Sequence, residues 1–252
     1  MSHTSPLDQA RRAVFITPLL CCLALAPALL VPKASVAASV RGSGTSASET
    51  RTVAEFQAIG LSGSMDLVVR QGAAQSVQVQ ADDNLLPLLE TVVEGNGLQV
   101  RWKKGTSLET RAKVLVTVVV PKLTGLAVAG SGDVHMQTFS TPTLALSMSG
   151  AGNARLDALT TDDLGIRISG SGDVTAKGTA AKVKVSIAGS GDVKLTELRA
   201  EDVTVSIAGS GDAAVNAQKT LNVSIAGSGD VTYTGNAQVK SSVAGSGKVK
   251  RK

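Results

Sequence analysis

The chain has 252 residues, of which 43% are hydrophobic, 18% charged and only 2% aromatic, and its formal net charge is +5. This composition is too apolar for a typical disordered protein, and it excludes collagen, a coiled coil and a disulfide scaffold. The small excess of basic residues is unlike the dense basic patch of a nucleic-acid binder, so we expect no nucleic acid as a partner.

Residues 1–38 have the pattern of a signal peptide. Arg11 and Arg12 precede an apolar run over residues 13–31, and small residues follow at 34–38. A basic region, an apolar region and an A-x-A-like site predict export with cleavage after Ala37 or Ala38. An uncleaved anchor is the alternative, because the apolar run approaches the length of a membrane span. After cleavage we expect no integral membrane domain, and a location in the periplasm first, or at the cell surface or outside the cell.

Cleavage would remove most of the cysteine and histidine residues, which enzymes commonly use for catalysis. Both cysteines, Cys21 and Cys22, lie in the signal segment, and His135 would be the one remaining histidine. Such a chain has no thiolate nucleophile, no disulfide and no zinc site built from cysteines or several imidazoles. The sequence therefore predicts no catalytic residue, no metal site and no cofactor.

Residues 39–51 are rich in Ser and Gly and are expected to form a flexible linker. Residues 52–124 are expected to form an N-terminal cap and the first coils of a larger structure. Within them, strands are predicted at 65–70, 76–80, 98–102 and 113–120. Asp82, Asp83 and Asn84 precede a leucine-rich stretch with Pro87 in its first turn, which predicts a short N-capped helix.

Residues 125–252 contain a four-residue motif, Gly-Ser-Gly-Asp, that recurs seven times with two variations. Its copies begin at Gly130, Gly150, Gly170, Gly189, Gly209, Gly227 and Gly245. The spacings are 20, 20, 19, 20, 18 and 18 residues. A fixed period of this length identifies a repeat architecture.

The apolar residues around each motif alternate with polar ones and keep phase with it. Two positions before the motif stand Val128, Met148, Ile168, Ile187, Ile207, Ile225 and Val243. Alternation with period two predicts strands with one buried face. An antiparallel meander would also alternate, but it would not place the same residue type at the same repeat position. At ~3.3 Å per residue, 20 residues make a perimeter of roughly 60 Å. We therefore predict an all-β fold, a parallel β-helix (β-solenoid) with ~20-residue coils, in which stacked coils share an aliphatic core.

In such a coil the motif lies at a corner, and its acidic residues form one row along the stack. The row consists of Asp133, Asp173, Asp192, Asp212 and Asp230, with Asn153 and Lys248 at the two other positions. Glycine permits positive φ and close approach of neighbouring coils, and each Asp can accept hydrogen bonds from its own turn. This predicts a structural turn ladder. A calcium ladder or another ligand surface is the alternative, although calcium-binding β-rolls repeat every nine residues.

An enzymatic β-helix would need clustered carboxylates on one face. Glu197, Glu201 and Asp202 lie near Lys194 and Arg199, an arrangement that favours a solvated edge. His135 follows Val134 within a strand and is expected to point outward.

The aromatic residues Phe56, Trp102, Phe139 and Tyr233 are expected to pack in or against the core. The basic end at 248–252 is expected to protect an open sheet edge. Contact of that basic end with acidic lipid is the alternative. No enzyme is predicted.

Several segments resemble one known family. They are Val53-x-x-Phe56-x-x-Ile59, the run from Asp66 to Gly72, Asn84-Leu85-Leu86 and the repeated Ser/Ala-Gly-Ser-Gly-Asp-Val. Together they resemble the "putative auto-transporter adhesin, head GIN domain" family over residues 52–250. The resemblance implies a β-helical, exported adhesin. Together with the lack of catalytic residues, it predicts a non-catalytic adhesin or interaction module of the cell envelope that presents a rigid β-helical surface to an unknown partner, a glycan or a protein. The alternative is a glycan-binding or glycan-cleaving β-helix protein of the periplasm.

Overall fold

A computed structural model describes residues 39–109 and 112–252, and it is built almost entirely of β-strands. Within these ranges the helical structure is confined to a 3₁₀ turn at Leu86–Leu88. The predicted signal peptide, residues 1–38, lies outside the described residues, so its export and cleavage stay predictions.

Nineteen strands are found in the described ranges. The strands before the repeat are β1 (Ser39–Arg41), β2 (Ser46–Arg51), β3 (Ala58–Ser62), β4 (Met65–Gln71), β5 (Ser76–Asp82), β6 (Leu89–Glu94), β7 (Gly97–Trp102), β8 (Ser107–Glu109) and β9 (Val114–Val120). The strands of the repeat are β10 (Gly125–Gly130), β11 (Val134–Ser140), β12 (Thr143–Gly150), β13 (Ala154–Gly170), β14 (Val174–Gly189), β15 (Val193–Gly209), β16 (Ala213–Gly227), β17 (Val231–Thr234), β18 (Gln238–Gly245) and β19 (Val249–Arg251).

The repeat forms the predicted parallel β-helix. Each strand pairs in parallel with the strand one repeat further along, so residues at the same repeat position stack. Ile187 pairs with Ile207, and Ile207 pairs with Ile225. All three side chains are buried, whereas Thr204, at an outward position of the same strand, is exposed. The period and phase read from the sequence are therefore confirmed.

Each regular coil has three faces, which the burial pattern of β15 makes visible. Val193 and Leu195 are buried, the alternation then shifts by one residue to bury Leu198 and Ala200, and it shifts again before Val203. We call the stretch leading into the motif face 1 (203–207 in β15), the stretch after it face 2 (193–195) and the third face 3 (198–200). The register of neighbouring strands shifts at the same corners, which lets one long strand bend around the core.

The first coils are not stacked in chain order. β3 pairs in parallel with both β7 and β10, and β4 pairs in parallel with both β9 and β11. The coil made by β3 and β4 therefore lies between two coils that follow it in sequence. Between β4 and β7 the chain forms β5 and β6, which pair antiparallel with β9 and β7. These antiparallel strands cover the N-terminal end of the β-helix.

The prediction of a flexible linker at residues 39–51 is wrong. β1 pairs in parallel with β8, and all six residues of β2 pair antiparallel with β5. Ala47 of β2 also packs against the core. The segment is ordered because the free side of β5 offers it backbone partners, which its own Ser-rich composition does not reveal.

The predicted N-capped helix is also wrong. The 3₁₀ turn has Leu85 at its N-cap without a side-chain cap bond, and Pro87 lies in its first turn. Asn84 is used elsewhere: its Oδ1 accepts from the Ser43 N–H at 3.0 Å and its Nδ2 donates to the Arg41 carbonyl at 2.8 Å. Because the polar side chain is committed to the preceding segment, it cannot cap a helix. Leu86 is buried and packs onto the core end.

Candidate functional site

The motif corner depends on glycine for steric reasons. Gly209 has φ +138°, and a Cβ placed on it would collide with the carbonyl oxygen of Gly189 in the previous coil. The same conflict recurs at the first glycine of every copy, from Gly130 to Gly245. Only a residue without a side chain allows the coils to approach this closely at the corner.

The acidic residues of the motif form a row of side chains, unbroken from Asp173 to Asp230, but they bond differently from the prediction. Each carboxylate accepts from the next coil, not from its own turn. The Asp192 N–H donates to Asp173 Oδ1 at 3.0 Å, that of Asp212 to Asp192 at 3.0 Å, that of Asp230 to Asp212 at 2.7 Å and that of Lys248 to Asp230 at 2.8 Å. The following residue uses its own N–H in a backbone bond to the next coil, as Val193 does to the Asp212 carbonyl. The carboxylate therefore accepts from a corner N–H that has no carbonyl partner in the neighbouring coil.

The row extends further toward the N-terminus than the sequence indicated. The Asp133 N–H donates to Asp66 Oδ1 at 3.1 Å, and Asn153 donates from its N–H to Asp133 Oδ1 at 3.0 Å. Asp66 ends a degenerate copy of the motif, Gly63-Ser64-Met65-Asp66, in which Met65 replaces the second glycine. The hydroxyls of Ser64 and Ser131 lie 2.9 Å apart. A tolerant search of the motif would have found this copy.

Lysines balance part of the charge on the row. Lys113 Nζ lies 3.2 Å from Asp66, Lys250 Nζ 3.7 Å from Asp230, and Lys194 Nζ 4.0 Å from Asp173. Among the described residues, no group of three or more His, Cys, Asp or Glu side chains has a geometry that could hold a metal ion.

A groove of about 490 Å³ lies beside the N-terminal part of the row. Its floor includes the row positions Asp66, Asp133, Asn153 and Asp173 and, on face 2, Val68, His135, Arg155 and Thr175. His135 points outward as predicted, with its side chain 43% exposed. The groove offers carboxylate, amide, imidazole and guanidinium groups within one surface depression.

Asp157 holds the two basic groups of this groove in place. His135 Nε2 lies 2.5 Å from Asp157 Oδ2, and Arg155 Nε donates to Asp157 Oδ1 at 2.7 Å. The hydrogen bond from His135, and after it the one from Arg155, lowers the pKa of Asp157 below its ordinary value. The carboxylate therefore stays ionised at neutral pH and orients both neighbours toward the groove. We call His135, Arg155 and Asp157 the His135 cluster.

The other candidate residues form a solvated edge, as predicted. Lys177 pairs with Glu197 at 2.8 Å and Lys219 with Glu201 at 2.7 Å, each across two neighbouring coils. Asp202 accepts from the Thr220 hydroxyl at 2.6 Å.

The aromatic side chains pack in or against the core. Phe56 and Phe139 are buried, and Trp102 and Tyr233 are partly buried against the core. None of these four lines the groove.

Comparison with known proteins identifies the family. The sequence model of the family described as "Putative auto-transporter adhesin, head GIN domain" matches residues 55–237. The chain belongs to this family. A search among curated proteins finds no match.

Solved structures share the fold along their whole length. A putative adhesin from Bacteroides fragilis NCTC 9343 is 27% identical with a TM-score of 0.82, over 85% of this chain and 100% of that one. A protein from Parabacteroides distasonis ATCC 8503 described as a putative lipid binding protein is 26% identical with a TM-score of 0.71, over 85% and 100%. A putative adhesin from Parabacteroides merdae ATCC 43184, 22% identical with a TM-score of 0.68 over 85% and 99%, shares the fold.

These comparisons support an adhesin-like protein. The family suggests an interaction partner and an extracellular or surface location. Within the described residues, no helix has the length and hydropathy needed to cross a bilayer.

Proposed function

We propose that this protein is an exported, non-catalytic adhesion module that binds its partner through the groove beside the His135 cluster. The observation that carries the proposal is the groove itself, in which Asp157 holds an imidazole and a guanidinium at the surface beside the carboxylates of the row. The signal-peptide pattern of residues 1–38 supports export, and the family supports an adhesive role.

A non-catalytic role is supported by what the repeated acids do. In the row from Asp173 to Asp230 each Oδ1 accepts the amide of the next coil. Their recurrence is explained by the fold, because each coil needs the same bond. A catalytic pair would instead require two carboxylates placed around a substrate bond.

The chemistry of the groove suits a polar partner, either a glycan or a polar protein surface. Glycan hydroxyls both donate and accept hydrogen bonds, and Asp66, Asn153 and Arg155 supply the complementary groups. The structure provides no aromatic platform in this groove, so binding would rest on hydrogen bonds and charge. Glycan binding is thus the second form of the same proposal, and glycan cleavage is the outcome that would contradict a non-catalytic role.

Localisation and binding are tested separately. Mass spectrometry of protein from the native envelope should find an N-terminus near Ala38 or Ser39, and surface labelling should mark the folded protein on intact cells. An intact N-terminus in the membrane fraction would reject cleavage.

For binding, the purified protein is screened against polysaccharides, envelope proteins and phospholipid vesicles, with reducing ends measured in parallel. Vesicles are included because one structural neighbour is described as a putative lipid binding protein. Arg155→Ala should abolish binding, and Arg167→Ala, on an exposed outward position of the same strand, should not. Equal binding by both variants would reject the groove, and release of reducing ends would reject a non-catalytic role.

A further inference from the structure

The last coil of the β-helix, residues 238–252, leaves part of the core uncovered. Val239 and Val243 are 37% and 41% exposed. Their partners in the preceding coil, Leu221 and Ile225, are 0% and 2% exposed, because β18 lies over them. The terminal coil, as we call residues 238–252, thus presents the row of apolar side chains that another strand would bury.

The outer edge of this coil is also free to pair. Among the described residues, β18 pairs with β16 alone and β19 with β17 alone. At the opposite end, β5, β2 and β6 add antiparallel strands. One side of the β18 backbone is thus a row of unpaired donors and acceptors.

The core-facing side of the β18 edge lacks the inward charges, prolines and bulges that usually prevent strand addition. Its core-facing positions are Val239, Ser241 and Val243, none of them charged. It contains no proline, and its register with β16 runs without a bulge over eight residues. The sequence analysis predicted that the basic end at 248–252 protects an open edge, but those residues lie after β18. On β18 the one lysine is Lys240, which pairs with outward-facing Asn222 and so leaves the core-facing side open.

The charge of the terminal coil selects the partner. It carries no acidic residue and five basic ones: Lys240, Lys248, Lys250, Arg251 and Lys252. A second copy docking through the same end would bring two basic surfaces together, which opposes self-association. A lipid surface could match the charge, but it could not pair with the strand edge. The combination of a free edge, apolar positions and basic charge fits an acidic polypeptide.

We propose that the terminal coil binds an extended, acidic polypeptide strand by β-augmentation along β18. Alternate apolar side chains of that strand cover Val239 and Val243, and its acidic side chains, on the opposite face, lie beside Lys240. Main-chain hydrogen bonds supply affinity, and the alternation supplies specificity. This site is separate from the groove at the His135 cluster, and the proposal does not depend on the function of that groove.

Two adjacent serines provide a matched test. Ser241 pairs with core-facing Val223 and Ser242 with outward-facing Ser224, and both are exposed. The full chain is titrated with a fluorescent peptide of sequence Thr-Val-Glu-Val-Glu-Val-Glu-Gly. Ser241→Lys should weaken binding about tenfold, although it adds a favourable charge, because the lysine occupies the face that the valines must cover. Ser242→Lys should bind as tightly as the wild type or more tightly. Thermal melts establish that both variants are folded.

Further measurements distinguish strand pairing from simple charge attraction. Two peptides are N-methylated at alternate residues, one at the odd and one at the even positions. Only the one whose methylated nitrogens face β18 should fail to bind, and the unmodified peptide should slow amide exchange in β18. Equal affinity of the two lysine variants, or unchanged binding of both N-methylated peptides, would overturn the proposal. Binding to phosphatidylglycerol vesicles without binding to the peptide would point to a membrane surface instead. A dimer through β18 in sedimentation would point to a second copy, and either result would also overturn it.

Discussion

The carboxylate of Asp192 accepts a hydrogen bond from the backbone N–H of Asp212, one coil further along the β-helix, at 3.0 Å. The motif thus joins successive coils at a corner where a backbone N–H has no carbonyl partner in the neighbouring coil. The carboxylate of the motif links one repeat to the next, and the stability of the stacked coils should depend on this hydrogen bond.

Replacing Asp192 with alanine should lower the free energy of unfolding by about 1–2 kcal/mol, because the Asp212 amide loses a charged acceptor. Asp192→Asn should cost less, since an amide oxygen can still accept the bond although it carries no charge. Urea unfolding measures both. Asp162→Ala, at an exposed residue, is the control. Equal losses for the alanine variants at 192 and 162 would contradict the role of the bond.

The core is tested at Ile207, which lies between Ile187 and Ile225 and is 1% exposed. Ile207→Asp would bury an unpaired charge and should destabilise the protein by more than about 3 kcal/mol. Thr204→Asp, at an exposed position of the same strand, should change stability little. Similar shifts of the melting temperature for the two variants would mean that the assigned phase is wrong.

A glycine pair tests close approach of the coils. Gly209→Ala should cost about 2–4 kcal/mol, because its φ of +138° and the Gly189 carbonyl both oppose a side chain. Gly165→Ala should be neutral or stabilising by up to about 0.5 kcal/mol, since a Cβ there meets no atom within 4 Å. Denaturant titration distinguishes them. A harmless Gly209→Ala would show that the corner can open.

The His135 cluster should make stability depend on pH. Hydrogen bonds from His135 and Arg155 lower the pKa of Asp157 below its ordinary value of 3.8. The stabilisation is therefore fully present above that ordinary value and is lost as the pH falls through the lower folded value. Asp157→Asn should cost less than about 1 kcal/mol at neutral pH, because the group is partly exposed. Unfolding measured from about pH 5, below the range in which histidine side chains ordinarily titrate, to strongly acidic pH should show the difference from wild type shrinking. A difference that grows on acidification would contradict the assigned direction.

The acidic row should tolerate its charge without calcium. Carboxylates about 5 Å apart in water repel by only ~1 kcal/mol per pair, and salt screens them further. We expect calcium to leave the melting temperature nearly unchanged and sodium chloride to raise it slightly. Melts with chelator, calcium and sodium chloride test this. A large rise specific to calcium, lost in Asp192→Asn, would instead make the row a metal site.

Much of the fold is predictable because a β-helix repeats its contacts. Residues at one repeat position stack on one another, so the row through Ile187, Ile207 and Ile225 can be read directly from their spacing. The outward position of His135 follows from the same alternation. The alignment of His135 with Arg155, one repeat later, follows from the same spacing. The bond between His135 and Asp157 was not predictable, because it depends on how two outward side chains of neighbouring strands orient toward each other.

The sequence by itself determined the period, the buried rows and the glycine corners of this protein, since each is a pattern that recurs in every coil at nearly constant spacing. Tertiary structure decided which segments fill the ends. β2 is ordered only because β5 offers a free edge, and the β3–β4 coil is inserted between later coils because its strands pair on both sides. It also decided that Asp192 bonds the next coil, not its own turn. The physical reason is that these interactions join backbone groups far apart in the chain, and the local pattern of residues does not specify which strand edges will meet.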